Sequence, residues 1–169
     1  LRASDPPEAA ASDLADLIIR ALGALDVTVW LRSREPGTLR LLAVRGCSSE
    51  PPPKELLGVL EKLADAPEPF APRGRRGAPQ IELDPDFLRQ TNASYIVPLR
   101  SGGEIIGLLT VGSDRSGRSF DREAGELLRV LACHAAGELH KSELLKTQVE
   151  AREAEAFRSF STFLLHDLK

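Results

Sequence analysis

The sequence predicts an α+β domain: an antiparallel sheet with helices on both faces, followed by one long C-terminal helix able to form a coiled coil. Three observations carry this. Two pairs of apolar/polar alternations are each joined by a tight turn, which reads as two hairpins. Apolar residues at helical spacing recur before, between and after those hairpins. The stretch from residue 121 onward meets no proline at all. Strands that come in adjacent pairs, rather than alternating singly with helices, favour an antiparallel sheet over a parallel one.

The composition fits one such domain. At 169 residues, with 42% hydrophobic and 28% charged residues, the chain can bury a single core and has neither a disordered nor a fibrous bias. A net charge of −3 lacks the basic footprint of nucleic-acid binding. The one basic cluster, Arg73, Arg75 and Arg76 around Gly74 and Gly77, reads as a solvated loop rather than a phosphate site. Cys47 and Cys133 are far apart and lack metal-ligand spacing, so both are expected as free thiols of a reducing compartment, with Cys133 buried in a helix. No run of 18 apolar residues and no signal peptide occurs. The chain opens without methionine and stops at Lys169 inside an expected helix, so it reads as a piece of a longer protein.

Taken in order, residues 1–11 are Pro/Ala-rich and read as a linker. Ser12 then offers an N-cap for a helix carrying Leu14, Leu17, Ile18, Ala21 and Leu22, which Gly23 ends. From Asp26 to Arg34 the period becomes two, with Val27, Val29 and Leu31 on one face and Thr28 and Trp30 on the other. Glu35-Pro36-Gly37 is a turn, and a second strand runs from Thr38 to Arg45. After Pro51 to Pro53, Leu56, Leu57, Leu60 and Leu63 predict a helix from Lys54 to Ala66. Residues 67–83 hold four prolines and two glycines and read as a long loop with one short strand at Gln80–Leu83. Asp84 caps a short helix containing Phe87 and Leu88. Strands at Ser94–Arg100 and Glu104–Ser113 follow, joined by Ser101-Gly102-Gly103. Together these place the sheet core at Val27, Val29, Leu31, Leu41, Val97, Leu99, Ile105 and Leu109, with Leu127, Leu128 and Leu131 covering one face.

Ser119 or Asp121 caps the last helix, which at about 1.5 Å per residue would span roughly 70 Å over 121–168. Its apolar seam is Leu128, Leu131, Ala135, Leu139, Ser142, Leu145, Val149, Arg152, Ala156, Phe160 and Phe163. The mean spacing is close to the 3.5 of a coiled coil, with Ser142 and Arg152 as polar members. Glu143 with Lys146, Lys146 with Glu150, and Glu155 with Arg158 suit a solvated outer face. A seam of this length predicts a parallel two-stranded coil in a homodimer, against the simpler arrangement of a helix folded back on its own domain.

The segment Tyr95-Ile-Val-Pro-Leu-Arg-Ser-Gly-Gly-Glu-Ile-Ile-Gly-Leu-Leu-Thr-Val111, followed by Phe120-Asp121 and Glu126-Leu127-Leu128, resembles the closing hairpin and last helix of the GAF family. The resemblance covers residues 12–140 and implies a sensory domain able to hold a small molecule against its sheet. Residues 141–169 then form a signalling coiled coil running into a truncated dimerisation helix. A GAF domain for cyclic nucleotides would carry an Asp-Glu pair where Ala124 and Gly125 stand, and bilin attachment needs a pocket cysteine that neither Cys47 nor Cys133 supplies. His134 and His140 read as helix-surface or packing residues rather than haem ligands.

A second resemblance closes the chain. Phe157-Arg-Ser-Phe-Ser-Thr-Phe-Leu-Leu-His-Asp-Leu-Lys169 is similar to the first dimerisation helix of sensor histidine kinases. With Ala151-Arg-Glu-Ala-Glu-Ala-Phe157 it is similar to those that regulate exosortase and exopolysaccharide export. The resemblance implies His166 as phosphoacceptor and Asp167 as the base or orienting group beside it. The full-length kinase would use ATP and magnesium and pass its phosphate to a response regulator. No glycine-rich phosphate loop occurs here, so this stretch alone has no ATP site, no cofactor and no metal. The implied location is cytoplasmic, with room for an inner-membrane anchor elsewhere in the parent protein. The competing function is a ligand-binding GAF module that regulates another output, such as a cyclase, phosphatase or transcription activator. A third arrangement is a purely structural module whose pocket is filled by its own side chains.

Overall fold

A computed structural model of the chain describes residues 5–46, 50–66, 68–72, 81–117 and 120–168. Its elements are α1 (Pro6–Leu22), β1 (Asp26–Arg32), β2 (Thr38–Gly46), β3 (Glu55–Leu57), α2 (Val59–Leu63), α3 (Pro85–Thr91), β4 (Ala93–Ser101), β5 (Glu104–Gly112) and α4 (Arg122–Asp167). The five strands form one sheet in the order β3-β2-β1-β5-β4, with every neighbouring pair antiparallel. The two central strands, β1 and β5, bring the two predicted hairpins together. In the second hairpin Ser101 pairs with Glu104, so the turn is Gly102-Gly103, with φ of 60° and 83°. Positive φ at both central residues gives the turn whose twist matches the strands it joins, and only glycine takes that pair of angles cheaply.

Three expectations change. The first helix starts at Pro6, not after Ser12: Asp5 is its N-cap, proline opens its first turn, and Pro7 and Ala11 are buried. Proline is pre-shaped for that position, so a Pro-Pro pair here begins a helix instead of marking a linker. The helix expected at Lys54–Ala66 is instead a short edge strand and one helical turn. Leu39 pairs with Leu56 and Thr38 with Leu57, which leaves Leu57 75% exposed. Gly58, at φ 69°, then turns the chain into α2. The strand expected at Gln80–Leu83 starts outside the described residues, and 81–83 are not strand. The pairing in this region is made by Phe70, which bridges Ile96 on β4.

The sheet is buried on both faces. On one, α1 and α4 lie side by side over Val27, Val29, Leu31, Val97, Leu99 and Leu109. On the other, Trp30, Leu39, Ile96, Ile105 and Leu108 meet Leu56, Leu63, Phe70 and Phe87. Leu41 and Ile105 therefore sit on the opposite face from the one their expected companions occupy. The cause is a pair of bulges. Pairing shifts by one residue between Val29 and Trp30 against β2, and between Leu99 and Arg100 against β5. An extra residue in a strand inverts the alternation beyond it.

Asp121 caps α4 by accepting a hydrogen bond from the Ala124 amide. The helix buries Leu128, Ala132, Ala135, Ala136 and Leu139 against its own domain. The first part of the expected coiled-coil seam is thus consumed by the sheet and α1. Leu127 is on the outer side, 41% exposed, and Leu131 packs at the edge of the core. Cys133, expected inside, is exposed because position 133 points away from the buried stripe; Cys47 lies outside the described residues. Beyond residue 143 the seam faces water, with Leu145, Val149, Phe160 and Phe163 all exposed, as are Leu144 and Phe157 outside it.

Candidate functional site

Two places in this fold carry unusual chemistry: a cavity at one corner of the sheet, and the far end of α4. The cavity lies on the Trp30 face, between β1, β2, residues 50–54 and α3, and has a volume of about 340 Å³. Most of that face is filled by the protein itself, with Trp30 packed edge-on to Phe87 at a centroid separation of 6.0 Å. The Trp30 indole Nε1–H donates to Thr28 Oγ1 at 2.8 Å, and Thr28 in turn shares a hydrogen bond with Thr110 across the β1–β5 pair. These bonds satisfy polar groups that burial would otherwise make costly.

Asp26 is different. It opens β1 opposite Gly46 and is only 7% exposed. Its Oδ2 accepts from the Asn92 side-chain amide at 3.1 Å, while Oδ1 has no hydrogen-bond partner among the described residues. Two glycines make room for this carboxylate. A methyl group on Gly46 would collide with the Asp26 side chain, and one on Gly112 would stand 3.1 Å from its Cβ. Asp26 also lines the cavity, together with Thr28, Leu41, Val44, Thr91 and Lys54. Thr91 Oγ1 spends its proton on the Phe87 carbonyl at 2.9 Å. Arg45, a further wall residue, donates from Nε to Asp16 at 2.8 Å and from a terminal nitrogen to the Val44 carbonyl at 3.0 Å. Sequence reasoning missed Asp26. The available signal was an acidic residue at the first position of an otherwise apolar strand, but its meaning depends on Gly46 and Gly112 arriving beside it.

At the other end, His166 and Asp167 occupy the last turn of α4, both exposed. Neither side chain has a hydrogen-bond or ion-pair partner among the described residues, and the structure does not bring the two together. Consecutive residues on a helix point about 100° apart and do not face each other. Between the cavity and this end, α4 is held to its domain by polar contacts. His140 Nδ1 and Ser101 Oγ are 2.8 Å apart, Arg40 reaches Glu143 at 3.1 Å, Lys146 reaches Asp5 at 2.9 Å, and Arg34 pairs with Glu150. Glu143, Lys146 and Glu150 therefore serve the domain's own surface, not the solvated outer face expected of them. His134 is exposed and His140 is engaged by Ser101, so the two do not converge as ligands. Among the described residues no cluster of three His, Cys, Asp or Glu could hold a metal ion, and no helix is long and apolar enough to cross a membrane.

The family model for the GAF domain matches residues 6–139. The chain belongs to the GAF domain family. The matched span starts at the first residue of α1 and ends where α4 leaves the core, so the part of α4 that follows is an appendage to the GAF unit. Solved structures agree on the fold. Residues 122 to 287 of a methyl-accepting chemotaxis protein superpose with a TM-score of 0.65 at 21% identity, covering 86% of this chain and 94% of that one. A GAF domain/HD domain protein from Geobacter sulfurreducens gives 0.62 at 17%, covering 83% and 95%. The GAF domain of a phosphoenolpyruvate-protein phosphotransferase from Coxiella burnetii gives 0.62 at 19%, covering 86% and 89%. No curated protein matches the chain. The GAF domain is a sensory and regulatory module, and these neighbours attach it to different outputs.

Proposed function

We propose that this chain is the sensory and dimerising region of a two-component sensor histidine kinase, with His166 as the residue that is autophosphorylated in the full-length protein. The observation that carries the reading is the far half of α4. It continues beyond the GAF unit with its large apolar side chains exposed, and the sequence ends in His166-Asp167-Leu168-Lys169. Phe157, Phe160, Phe163, Leu164, Leu165 and Leu168 are all exposed there, and at about 100° per residue they span an arc of roughly 200°. That is broader than a strict two-helix seam and suits packing into a four-helix bundle, the arrangement two hairpins of dimerisation helices would make. The seam through Phe160 and Phe163 continues to Asp167, which leaves His166 at its margin. An ATP-binding domain could reach it there. At about 100° per residue the polar clamp on Glu143, Lys146 and Glu150 is centred about 110° around the helix from Leu145 and Val149, beside the seam and not across from it.

In the transfer itself, a neutral imidazole attacks the γ-phosphorus of magnesium-bound ATP in line. A nitrogen–phosphorus bond forms, ADP leaves, and the ring loses a proton. Asp167 is the nearest group in sequence to take that proton or to orient the ring. The region works in the cytoplasm, where ATP is, and the phosphate goes on to a response regulator. The Ala151–Phe157 segment supports a place among the kinases of exopolysaccharide export.

In the full-length protein, His166 should carry an acid-labile, base-stable phosphate after incubation with ATP and magnesium, and His166→Gln should abolish the labelling completely. Asp167→Asn should slow it by about 10²–10⁴, the range for a lost general base. Wild-type labelling of His166→Gln would place the acceptor elsewhere and end the kinase reading. The second reading, a GAF module regulating another output, draws on the neighbours, whose own proteins include a methyl-accepting chemotaxis protein and a GAF domain/HD domain protein. It requires that no ATP-binding domain follow Lys169.

A further inference from the structure

We propose that His134 and Glu138 of one chain, together with the same two residues of a second copy, hold a divalent metal ion of the zinc type between two α4 helices. The inference rests on the reading of α4 as the seam of a parallel dimer, and it names what closes that seam beside the GAF unit.

The inward stripe of the near half, from Leu128 to Leu139, is taken up by the sheet and α1. Next to it runs a second stripe. At about 100° per residue, Leu127, Leu131, His134, Glu138, Leu145 and Val149 fall within one arc of roughly 60°. The steps from Leu127 to Glu138 are four, three and four residues, and Lys141 and Leu145 follow after three and four more. That is the spacing of a coiled-coil seam. Leu127 is 41%, Leu145 57% and Val149 54% exposed. The seam of the far half therefore continues alongside the GAF unit, and its members between Leu131 and Leu145 are polar.

A second copy laid along this stripe sets each polar residue against its own mate. Two facing Glu138 carboxylates repel unless a cation lies between them. Lys141 reaches Glu138 Oε1 at 3.3 Å, but the two side chains are 74% and 53% exposed, so water screens the pair, and it occupies one oxygen only. His134 is exposed and makes no hydrogen bond or ion pair among the described residues, which leaves a ring nitrogen free to ligate. Residues four apart on a helix are neighbours, so this imidazole and the Glu138 carboxylate can reach one ion. Asp13 of α1 lines the same groove as both and can accept the N–H of the other ring nitrogen, the outer support that metal-bound histidines use. One chain goes no further: among its described residues no three His, Cys, Asp or Glu close on a single ion. A two-fold axis along the seam doubles the pair to two imidazoles and two carboxylates, a nitrogen and oxygen set that zinc takes tetrahedrally. Calcium would demand more oxygens.

Sedimentation equilibrium of the 169-residue chain, stripped with EDTA and then supplied with zinc chloride, tests the site. Zinc should tighten the dimer by about tenfold or more, within the usual range for coupling between a ligand and an equilibrium it biases. The response should saturate at one ion for two chains. His134→Ala and Glu138→Gln should each lose it while keeping the wild-type thermal melt, because both side chains are exposed. Without metal, Glu138→Gln should dimerise at least as tightly as wild type, since the facing charges are gone. Cys133, the exposed thiol beside His134, lies about 100° outside the arc, so Cys133→Ser should respond to zinc as wild type does. Cobalt(II) in place of zinc should give tetrahedral d–d bands with no thiolate charge-transfer absorption. A wild-type dimer indifferent to zinc overturns the proposal and leaves the dimer reading standing, whereas a chain monomeric with and without zinc overturns both. A zinc response that survives in His134→Ala, or disappears in Cys133→Ser, places the metal elsewhere and overturns the proposal as well.

Discussion

The two halves of α4 share one unbroken backbone and pack by different rules. Between Leu128 and Leu139 the inward residues are mostly alanines, so the helix sits close to the sheet and to α1 and is fully used by its own domain. Beyond residue 143 the contacts are ionic, and the large apolar side chains point outward, with Phe157 71% and Phe163 63% exposed. A contiguous apolar face of this kind is not what a monomer keeps in water. The stripe that builds a core in its first turns is left exposed once the domain beneath it ends.

The largest effect should come from breaking the far half alone. Leu145→Glu with Val149→Glu would put four carboxylates into the proposed dimer seam, where each apolar residue should contribute about 1–3 kcal/mol. Dissociation should weaken the dimer by more than about a hundredfold, as read by light scattering across a concentration series. The thermal melt of the GAF unit should stay put, because both side chains are already exposed within one chain. A wild-type chain that is monomeric at micromolar concentration would remove the comparison's premise. A melt that falls together with the dimer would show that the halves are one cooperative unit.

The mirror experiment is in the near half. Leu128 is fully buried between the sheet and α1, and Leu128→Ala should cost about 2–5 kcal/mol of stability in a denaturant titration. Leu109→Ala, equally buried on β5 beneath the same helices, should cost a similar amount. A loss below about 0.5 kcal/mol at either position would mean that the α1–α4 layer does not close this face.

How much of this was legible depends on whether a residue's meaning is local. The Gly102-Gly103 hairpin, the Asp84 and Asp121 caps and the long helix were all readable, because a turn or a cap is decided by a few neighbouring residues. Segment 54–66 was not. Leu56, Leu57, Leu60 and Leu63 fit a helical stripe, and only the pairing with Leu39 makes the first two a strand. The face of Leu41 and Ile105 was lost for a related reason, since a bulge is invisible until the partner strand is known. The charges on α4 were read as solvated because their partners, Arg34, Arg40 and Asp5, lie more than a hundred residues away in the chain. Of the site, His166 was legible as a motif. Asp26 was not, because its isolation is a property of the packed state.

Removing the cap that starts the near half is a smaller perturbation. Asp121→Ala deprives the Ala124 amide of its partner and should cost about 1 kcal/mol, within the usual range for a lost N-cap. Amide exchange should quicken over the first turn of α4 and leave the turns around Leu139 unchanged. Equal acceleration along the whole helix would argue that the near half opens as one piece.

The smallest effect, and the one that tests where the two halves meet, is the Arg40–Glu143 pair. Its side chains are 25% and 28% exposed, between a surface pair and a buried one, so partial screening by water applies. A double-mutant cycle through Arg40→Gln and Glu143→Gln should give a coupling of about 0.5 kcal/mol at low salt. That coupling should shrink at 1 M salt, where the Debye length falls to about 3 Å. Exchange at the amides from Glu143 to Glu150 should rise in either single variant, since Arg40 ties that stretch to β2 and nothing apolar replaces it. A coupling indistinguishable from zero, with exchange unchanged, would show that the pair does not fix the helix. The boundary between the halves would then be set by where the alanines stop at Leu139, not by the ion pairs that follow.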